Sequence, residues 1–309
     1  MPLLSPVTPE TLAAALREHA GLTIVPDAIT LERRSWRWFA SLPGDLIVCI
    51  ADTPEGAAHL ARESMLLKRL AARVSFGLPR VRDLDPALGL QLRTLVPGAQ
   101  LSGGGRERDF AERPQGARLA DDLGRALAEI HTAFTAAEMS ELGFAEAVPL
   151  LPPADALAAR MGDRLTEPRI KATFDAVLNL YRETTPAPED IVLVHDDIWG
   201  GNLAVDLETG ALNGLFDFVD AGRADRHLDL MYIHSFGPAF TERLFRTYAT
   251  ATGRAISWQR TALYHAISAF SALADMANKG EDYLLEQRRR WVETVCSGPI
   301  AKMALGNDR

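Results

Sequence analysis

The chain has 309 residues, enough for one large domain or two lobes around a sizeable core, with 47% hydrophobic and 24% charged residues, as in an ordinary globular protein. A formal charge of −8 argues against a nucleic-acid binder, and no apolar run reaches the roughly 18 residues that a membrane helix needs. Cys49 and Cys296 lie far apart without metal spacing, and the N-terminus lacks the basic and apolar segments of a signal peptide, so a cytoplasmic protein without a disulfide framework is expected.

The acidity is unevenly spread. Residues 1–96 carry 11 Lys+Arg and 10 Asp+Glu, which leaves 22 and 31 for the remainder. Solubility accounts for this excess, and so does a cleft that attracts cations.

Thr8 can cap a first helix with Pro9 at its first position, running to about His19. Short β-like runs follow at 22–25 (LTIV), 28–32 (AITLE), 35–40 (SWRWFA) and 45–51 (DLIVCIA). Pro54-Glu55 opens an amphipathic helix, EGAAHLARESMLLKRLAARV, and PRVRDLD and LGLQLRTLV read as two further strands. Strands, a helix, then strands make an α+β pattern with an antiparallel sheet. The segment 97–116, PGAQLSGGGRERDFAERPQG, has no periodicity and reads as a flexible connection; its Gly103-Gly104-Gly105 run lacks the Gly-Lys-Ser/Thr of a phosphate loop. Beyond it the pattern is helical at 117–134, 153–162, 167–183, 239–251, 257–279 and 281–295, interrupted by β-runs within 191–218.

That interruption carries the chemistry. VLVHDDIWGGNLAV (192–205) places His195, Asp196 and Asp197 at a strand end, and LAVDLETGALNGLFDF reads as a hairpin with its turn at Glu208-Thr209-Gly210. A hairpin centred between Thr209 and Gly210 sets Asn202 directly opposite Asp217. An amide oxygen and a carboxylate on one face suit a hard divalent cation. His195-x-Asp197-x4-Asn202, a hairpin and then Asp217-Phe218 is the layout of a phosphotransfer centre, with Asp197 as base and Asn202 and Asp217 holding Mg²⁺ on the phosphates. Among neighbours, His195 reads as loop scaffold, Asp196 as structural or solvated, and Trp199 equally as pocket wall or packing.

In these residues the chain resembles the aminoglycoside phosphotransferase and small-molecule kinase group within the protein-kinase-like fold. HDDIWGGN is similar to its His-Gly-Asp-x-x-x-x-Asn loop, and LFDFVDAG to its Asp-Phe element, continued by Asp220-Ala221-Gly222, Asp225 and Asp229-Leu230. LGRALAEIHT, ending near His131, is similar to the helix beneath the catalytic loop. Glu63 in HLARESMLLKRL resembles the glutamate of the N-lobe helix, and LRTLVPGAQL the hinge. The resemblance implies a two-lobe fold: a small antiparallel-sheet N-lobe over residues 1–96, a hinge near 93–98, and a larger, mostly helical C-lobe over 97–309. It further implies Glu63, Thr94 and Leu95 at the nucleotide and Asp225 and Asp229 as structural support.

Two places depart from the family pattern. LERRSWRWFA has no glycine where the family covers the phosphates with a glycine-containing loop, and Cys49 stands where its third strand supplies a lysine; the first lysine of the chain is Lys68. Three readings follow. Arg37 turns into the cleft with Ser35 and Phe39 while Trp36 and Trp38 face elsewhere, or Arg33 or Arg34 serves instead. Alternatively metal and hinge hold the nucleotide, or the donor is altered. Thirdly, the chain is a pseudokinase acting as nucleotide sensor or scaffold, which predicts no basic group near the phosphates. The expected activity is Mg²⁺-dependent transfer of the γ-phosphoryl of ATP or GTP to a hydroxyl of an aminoglycoside-like molecule, amino alcohol or sugar. Its acceptor contacts are expected on helices 239–295, near Glu281 and Asp282.

Overall fold

The computed structural model describes residues 4–34, 36–103, 105–146, 151–161, 164–279 and 282–306, without the side chains of 84, 276–279 and 282–284. Ser35, Gly104, Glu281 and the side chain of Asp282, all named above, lie outside these residues. In chain order the first elements are α1 (Pro9–Ala20), β1 (Thr30–Arg34), β2 (Arg37–Leu42), β3 (Leu46–Ala51), α2 (Pro54–Leu70), β4 (Val81–Asp85) and β5 (Leu90–Thr94). Then come α3 (Arg106–Ala111), α4 (Pro114–Thr132), α5 (Ala136–Glu141), α6 (Ala154–Met161), α7 (Pro168–Glu183), β6 (Ile191–Val194), β7 (Leu203–Val205), β8 (Leu212–Leu215) and β9 (Gly222–Asp225). The chain closes with α8 (Pro238–Thr252), α9 (Trp258–Lys279), α10 (Asp282–Ser297) and α11 (Pro299–Ala304).

The first five strands form one antiparallel sheet in the order β1-β2-β3-β5-β4. Alternation along β3 sends Val48 and Ile50 into the core with Leu12 and Leu16 of α1, and Cys49 and Ala51 toward Ala57 and Leu60 of α2. On α2 the Thr53 side chain accepts the Gly56 N–H at 3.1 Å and Pro54 occupies the first turn. Its buried face includes Leu60, Glu63, Ser64, Leu67 and Leu70, so one carboxylate sits within a mainly apolar face. In the helical lobe Leu119, Leu123 and Leu127 of α4 are buried with Leu244 and Phe245 of α8. Each such leucine stabilises the lobe by roughly 1.5–3 kcal/mol. The two-lobe α+β fold expected from the sequence is the fold found. No helix among the described residues is long and apolar enough to cross a membrane.

Four local expectations require correction. LTIV (22–25) is not a strand: it links α1 to a 3₁₀ turn at Pro26–Ala28, and pairing begins only at Thr30. Leu22 and Ile24 still pack on the α1 core, so their apolarity serves burial without a ladder. Residues 97–116 are not a loose connection. They contain α3, with Phe110 buried, and are stitched to the following lobe by Ala99–Val205 backbone bonds and by Leu101 N–H donating to Gly200 C=O at 2.8 Å. Trp36 does not turn away from Arg37. It lies in the two-residue turn between β1 and β2, where strand alternation breaks, and packs on α2 with its ring edge-on to His59.

The hairpin register is also shifted by one residue. β7 and β8 pair as Leu203↔Leu215 and Ala204↔Gly214, then slip to Val205↔Leu212 across a bulge. The turn is held by the Asp206 carboxylate, which accepts the Glu208 and Thr209 N–H groups. Asn202 therefore meets Phe216, whose N–H donates to its carbonyl at 3.3 Å, and not Asp217.

Candidate active site

The loop after β6 is hung on one carboxylate. Asp229 is almost fully buried; its Oδ2 accepts the His195 N–H at 2.8 Å and its Oδ1 the Asp196 N–H at 2.6 Å. Oδ2 also meets His131 Nε2 at 3.0 Å, which ties the loop to the end of α4. His195 is itself buried: Nε2 lies 3.1 Å from the Phe216 carbonyl and Nδ1 accepts the Asp197 N–H at 3.3 Å. The ring thereby bridges the two halves of the site. Its face rests 4.3 Å from the Phe218 ring, centroid to centroid.

Next in the loop, the Asn202 amide nitrogen donates to the Asp197 carbonyl at 2.8 Å and to Asp197 Oδ2 at 2.7 Å, while Trp199 Nε1 reaches Oδ2 at 3.3 Å. Among the described residues no side chain bonds Asp197 Oδ1, and none donates to the Asn202 amide oxygen. The glycines set this geometry. A Cβ on Gly200 would fall 2.6 Å from Glu107 and 2.8 Å from the Leu101 carbonyl, and one on Gly201 would overlap the Trp199 ring. Glu107 of α3 accepts the Gly200 N–H at 2.9 Å, a support the sequence reading missed because its segment shows no periodicity.

Asp217 reaches the same cleft by backbone conformation, not by strand pairing. Its φ of 71° is left-handed, as is that of Asp196, and both flank the candidate chemistry. The left-handed step releases the chain from β8 and sends Phe218 into the core.

The N-lobe supplies two arginines. Arg37 Nη2 donates to Asp217 Oδ1 at 2.5 Å, and its Nη1 is buried without an acceptor. Arg93 of β5, which the sequence reading did not single out, donates from Nη1 to Glu63 Oε1 at 3.0 Å, with both groups buried. The other Glu63 oxygen accepts from Gln91 at 3.1 Å, and Oε1 also accepts the Phe218 N–H at 3.1 Å. Helix α2 is thereby connected to the Asp217-Phe218 element through one carboxylate. Glu63 was named through the family resemblance of HLARESMLLKRL; Arg93 had no signal, because alternating Leu90-Gln91-Leu92-Arg93 equally fits a solvent-facing edge. Arg33 and Arg34 are engaged by Asp52 and Glu32, at 2.9 and 2.7 Å.

A cleft of about 710 Å³ lies between the lobes, lined by Arg93, Thr94, Leu95, Asp197, Asn202 and Asp217 among others. Thr94 and Leu95 form part of its wall, but their N–H groups already donate to the carbonyls of Arg80 and Asp45. Asp225 and Asp190 form a separate cluster with His227, close enough to enclose a cation. Its carboxylates are engaged by Arg226, Arg254, Arg260 and Tyr264, so charge is balanced there by protein groups.

Burial, reinforced by the Asp229, Asp220 and Asp197 charges, pushes the Asp196 carboxyl up to about 9, and its Oδ1 has no partner. The native state therefore holds a proton here that the unfolded chain releases near pH 4. The resulting stability is complete below about pH 4 and lost as pH rises toward about 9. Asp196→Asn is expected to flatten the fall of Tm between pH 5 and pH 9 by about half or more. Parallel thermal melts of the two proteins check this, and unchanged slopes would exclude a buried neutral Asp196.

Residues 28–264 match the family model described as the phosphotransferase enzyme family. A 234-residue alignment, covering 71% of this chain and 83% of its relative, is 29% identical to an aminoglycoside 3'-phosphotransferase of Streptomyces ribosidificus. The corresponding enzyme of Streptomyces fradiae is 30% identical over 117 residues, 35% of this chain and 42% of that one. Among solved structures, the GDP and kanamycin complex of APH(2")-IIia superposes with a TM-score of 0.77 at 17% identity, over 92% of this chain and 97% of that one. The macrolide 2'-phosphotransferase MphH from Brachybacterium faecium superposes with a TM-score of 0.69 at 20% identity, over 94% and 99%.

Proposed function

The chain belongs to the phosphotransferase enzyme family, and from that premise we propose that it transfers the γ-phosphoryl group of ATP or GTP to a hydroxyl of a small molecule. An aminoglycoside-like compound, an amino alcohol or a sugar is the acceptor class, and the cytoplasm the setting. The observation that carries this reading is the Asn202 fork on Asp197 in a cleft lined also by Asp217 and Arg93, with Arg37 bonded to Asp217.

Asp197 is the base. The Asn202 and Trp199 donors hold Oδ2, which fixes the carboxylate and leaves Oδ1 to accept the acceptor's hydroxyl proton. His195 is the loop scaffold, and Asp225 and Asp229 are structural support. Asn202 and Asp217 fit a hard cation. The Asn202 amide nitrogen is committed to Asp197, which leaves its oxygen free of a donor, and Asp217 adds a carboxylate. Bound there, Mg²⁺ would neutralise phosphate charge during transfer. Arg37 and Glu63 serve the nucleotide end, with Thr94 and Leu95 as the hinge wall, and the lobe boundary is placed between residues 96 and 97. The relatives support the acceptor class: two are aminoglycoside 3'-phosphotransferases, and one structural neighbour is a complex with GDP and kanamycin. A pseudokinase predicts a cleft without a basic group, whereas Arg37 and Arg93 are both present.

Thermal shift with ATP and GTP, each with and without Mg²⁺, tests this on the wild type and on Asp217→Ala. The wild type is expected to gain several degrees in a metal-dependent way and the variant to lose that dependence. A wild type stabilised by neither nucleotide would remove the enzyme reading.

A further inference from the structure

We infer that the work of a single third-strand cation is divided here between two arginines on the flanking strands, with Arg93 as a positioning residue and Arg37 as the phosphate ligand. The inference rests on the nucleotide-dependent reading above and deepens it.

Register places both arginines around Cys49. Across the β2–β3 ladder Arg37 faces Ala51 and Phe39 faces Cys49; across β3–β5 Gln91 faces Cys49 and Arg93 faces Ile47. Opposed residues in an antiparallel pair share a face, and so do alternate residues of one strand. Arg37, Cys49 and Arg93 therefore project to the same side of the sheet, the side covered by α2, on which Phe39, Ile47 and Arg93 line the cleft. One long cationic side chain at position 49 would be able to touch both Glu63 and a phosphate. Cysteine is too short and has no charge, and burial, opposed by the Arg93 and Arg37 charges, pushes its thiol up to about 11. The thiol stays neutral, so the two tasks must fall to other groups.

Arg93 has taken the first task. It is 5% exposed, spends Nη1 on Glu63, and through Glu63 reaches the Phe218 N–H. Its effect is to hold α2 and the Asp217-Phe218 element in one arrangement. Arg37 has taken the second. It is held over the Phe39 ring at 4.7 Å, one of its terminal nitrogens is bound to Asp217 and the other is buried with no acceptor. A phosphate oxygen supplies the acceptor that this N–H lacks, and a guanidinium suits that bond geometrically. Arg37 also shields Asp217 until a nucleotide arrives to share the charge.

The assignment is tested by titrating ADP and adenosine, with and without Mg²⁺, into wild type and variants, reading affinity instead of turnover. Arg37→Met is expected to weaken ADP about tenfold or more, both with and without metal, and to leave adenosine unchanged. Arg93→Met is expected to weaken metal-free ADP clearly less than Arg37→Met does and to abolish most of the gain conferred by Mg²⁺, because Asp217 is misplaced. Since Arg93→Met strands the Glu63 charge, the double variant Glu63→Gln/Arg93→Met keeps the test sound if the single one does not fold. It should show the same loss of metal dependence, while Arg93→Lys restores part of it. A purely structural pair would lower the unliganded Tm without altering the ratio of ADP affinities with and without metal. Overturning outcomes are wild-type ADP affinity in Arg37→Met, wild-type metal dependence in the double variant, or metal-free ADP weakened as much by Arg93→Met as by Arg37→Met. A wild type that binds no ADP would instead remove the functional reading beneath it.

Discussion

Asp197→Asn is expected to lower phosphoryl transfer about 10²- to 10⁴-fold, the range seen when a positioned general base is lost. The substitution keeps size and preserves an oxygen for the Asn202 amide, so the fork and the loop remain in place. It removes the Asp197 carboxylate, whose Oδ1 is free to receive a proton. Nucleotide binding should therefore change by no more than about twofold, since less than 0.5 kcal/mol is at stake there. Initial rates of labelled-phosphate transfer to a panel of hydroxyl acceptors, run beside ADP-Mg²⁺ melts, separate the two effects. Transfer at the wild-type rate would take Asp197 out of the base's role. Burial raises the Asp197 carboxyl above its ordinary value, although the His195 and Asn202 contacts oppose the rise. The deprotonated form is the active one, so this rise moves the acid limb of the wild-type rate profile toward neutral pH.

Asp229→Ala is expected to cost about 3–5 kcal/mol of folding stability, a large part of the 5–15 kcal/mol that a typical domain possesses. The reason is the number of donors left behind. Two buried backbone N–H groups, of His195 and Asp196, and the Nε2 of His131 all converge on this carboxylate. Alanine offers no acceptor, and the site lies too deep for water to replace it easily. Asp229→Asn keeps one oxygen and should lose less. Urea unfolding and thermal melts check both values, and a loss under about 1 kcal/mol for alanine would mean the loop is held elsewhere.

Much of the fold was legible because its elements announce themselves locally. Apolar spacing and end signals marked α2, α4, α7, α8 and α9 to within a few residues, and alternating runs marked β2 and β3. LTIV shows the limit: apolar residues can be buried without a strand partner, and sequence does not distinguish the two. The segment 97–116 shows another, since α3 is too short for its periodicity to emerge and is held by Phe110 and by contacts with a distant loop.

The candidate site was legible where it is contiguous. Asp197 and Asn202 belong to one loop of six residues, so their spacing is itself geometric information. Asp217 was grouped with them for a reason the structure corrects: the hairpin register fails by one residue, and a left-handed backbone step brings the carboxylate to the cleft.

The sequence by itself determined most of the helical and strand segments, the loop that sets Asp197 beside Asn202, and the absence of a lysine from the third strand. These follow from short-range sterics, periodicity and residue identity. Only the tertiary structure decided where the missing positive charge is found. Arg37 and Arg93 are 56 positions apart in the chain. They meet around Cys49 because β5 pairs with β3 across the sheet, and no local signal encodes which strand becomes the neighbour. Likewise Asp229 braces a loop 33 residues upstream, by a buried charge that finds its donors only once the core has closed.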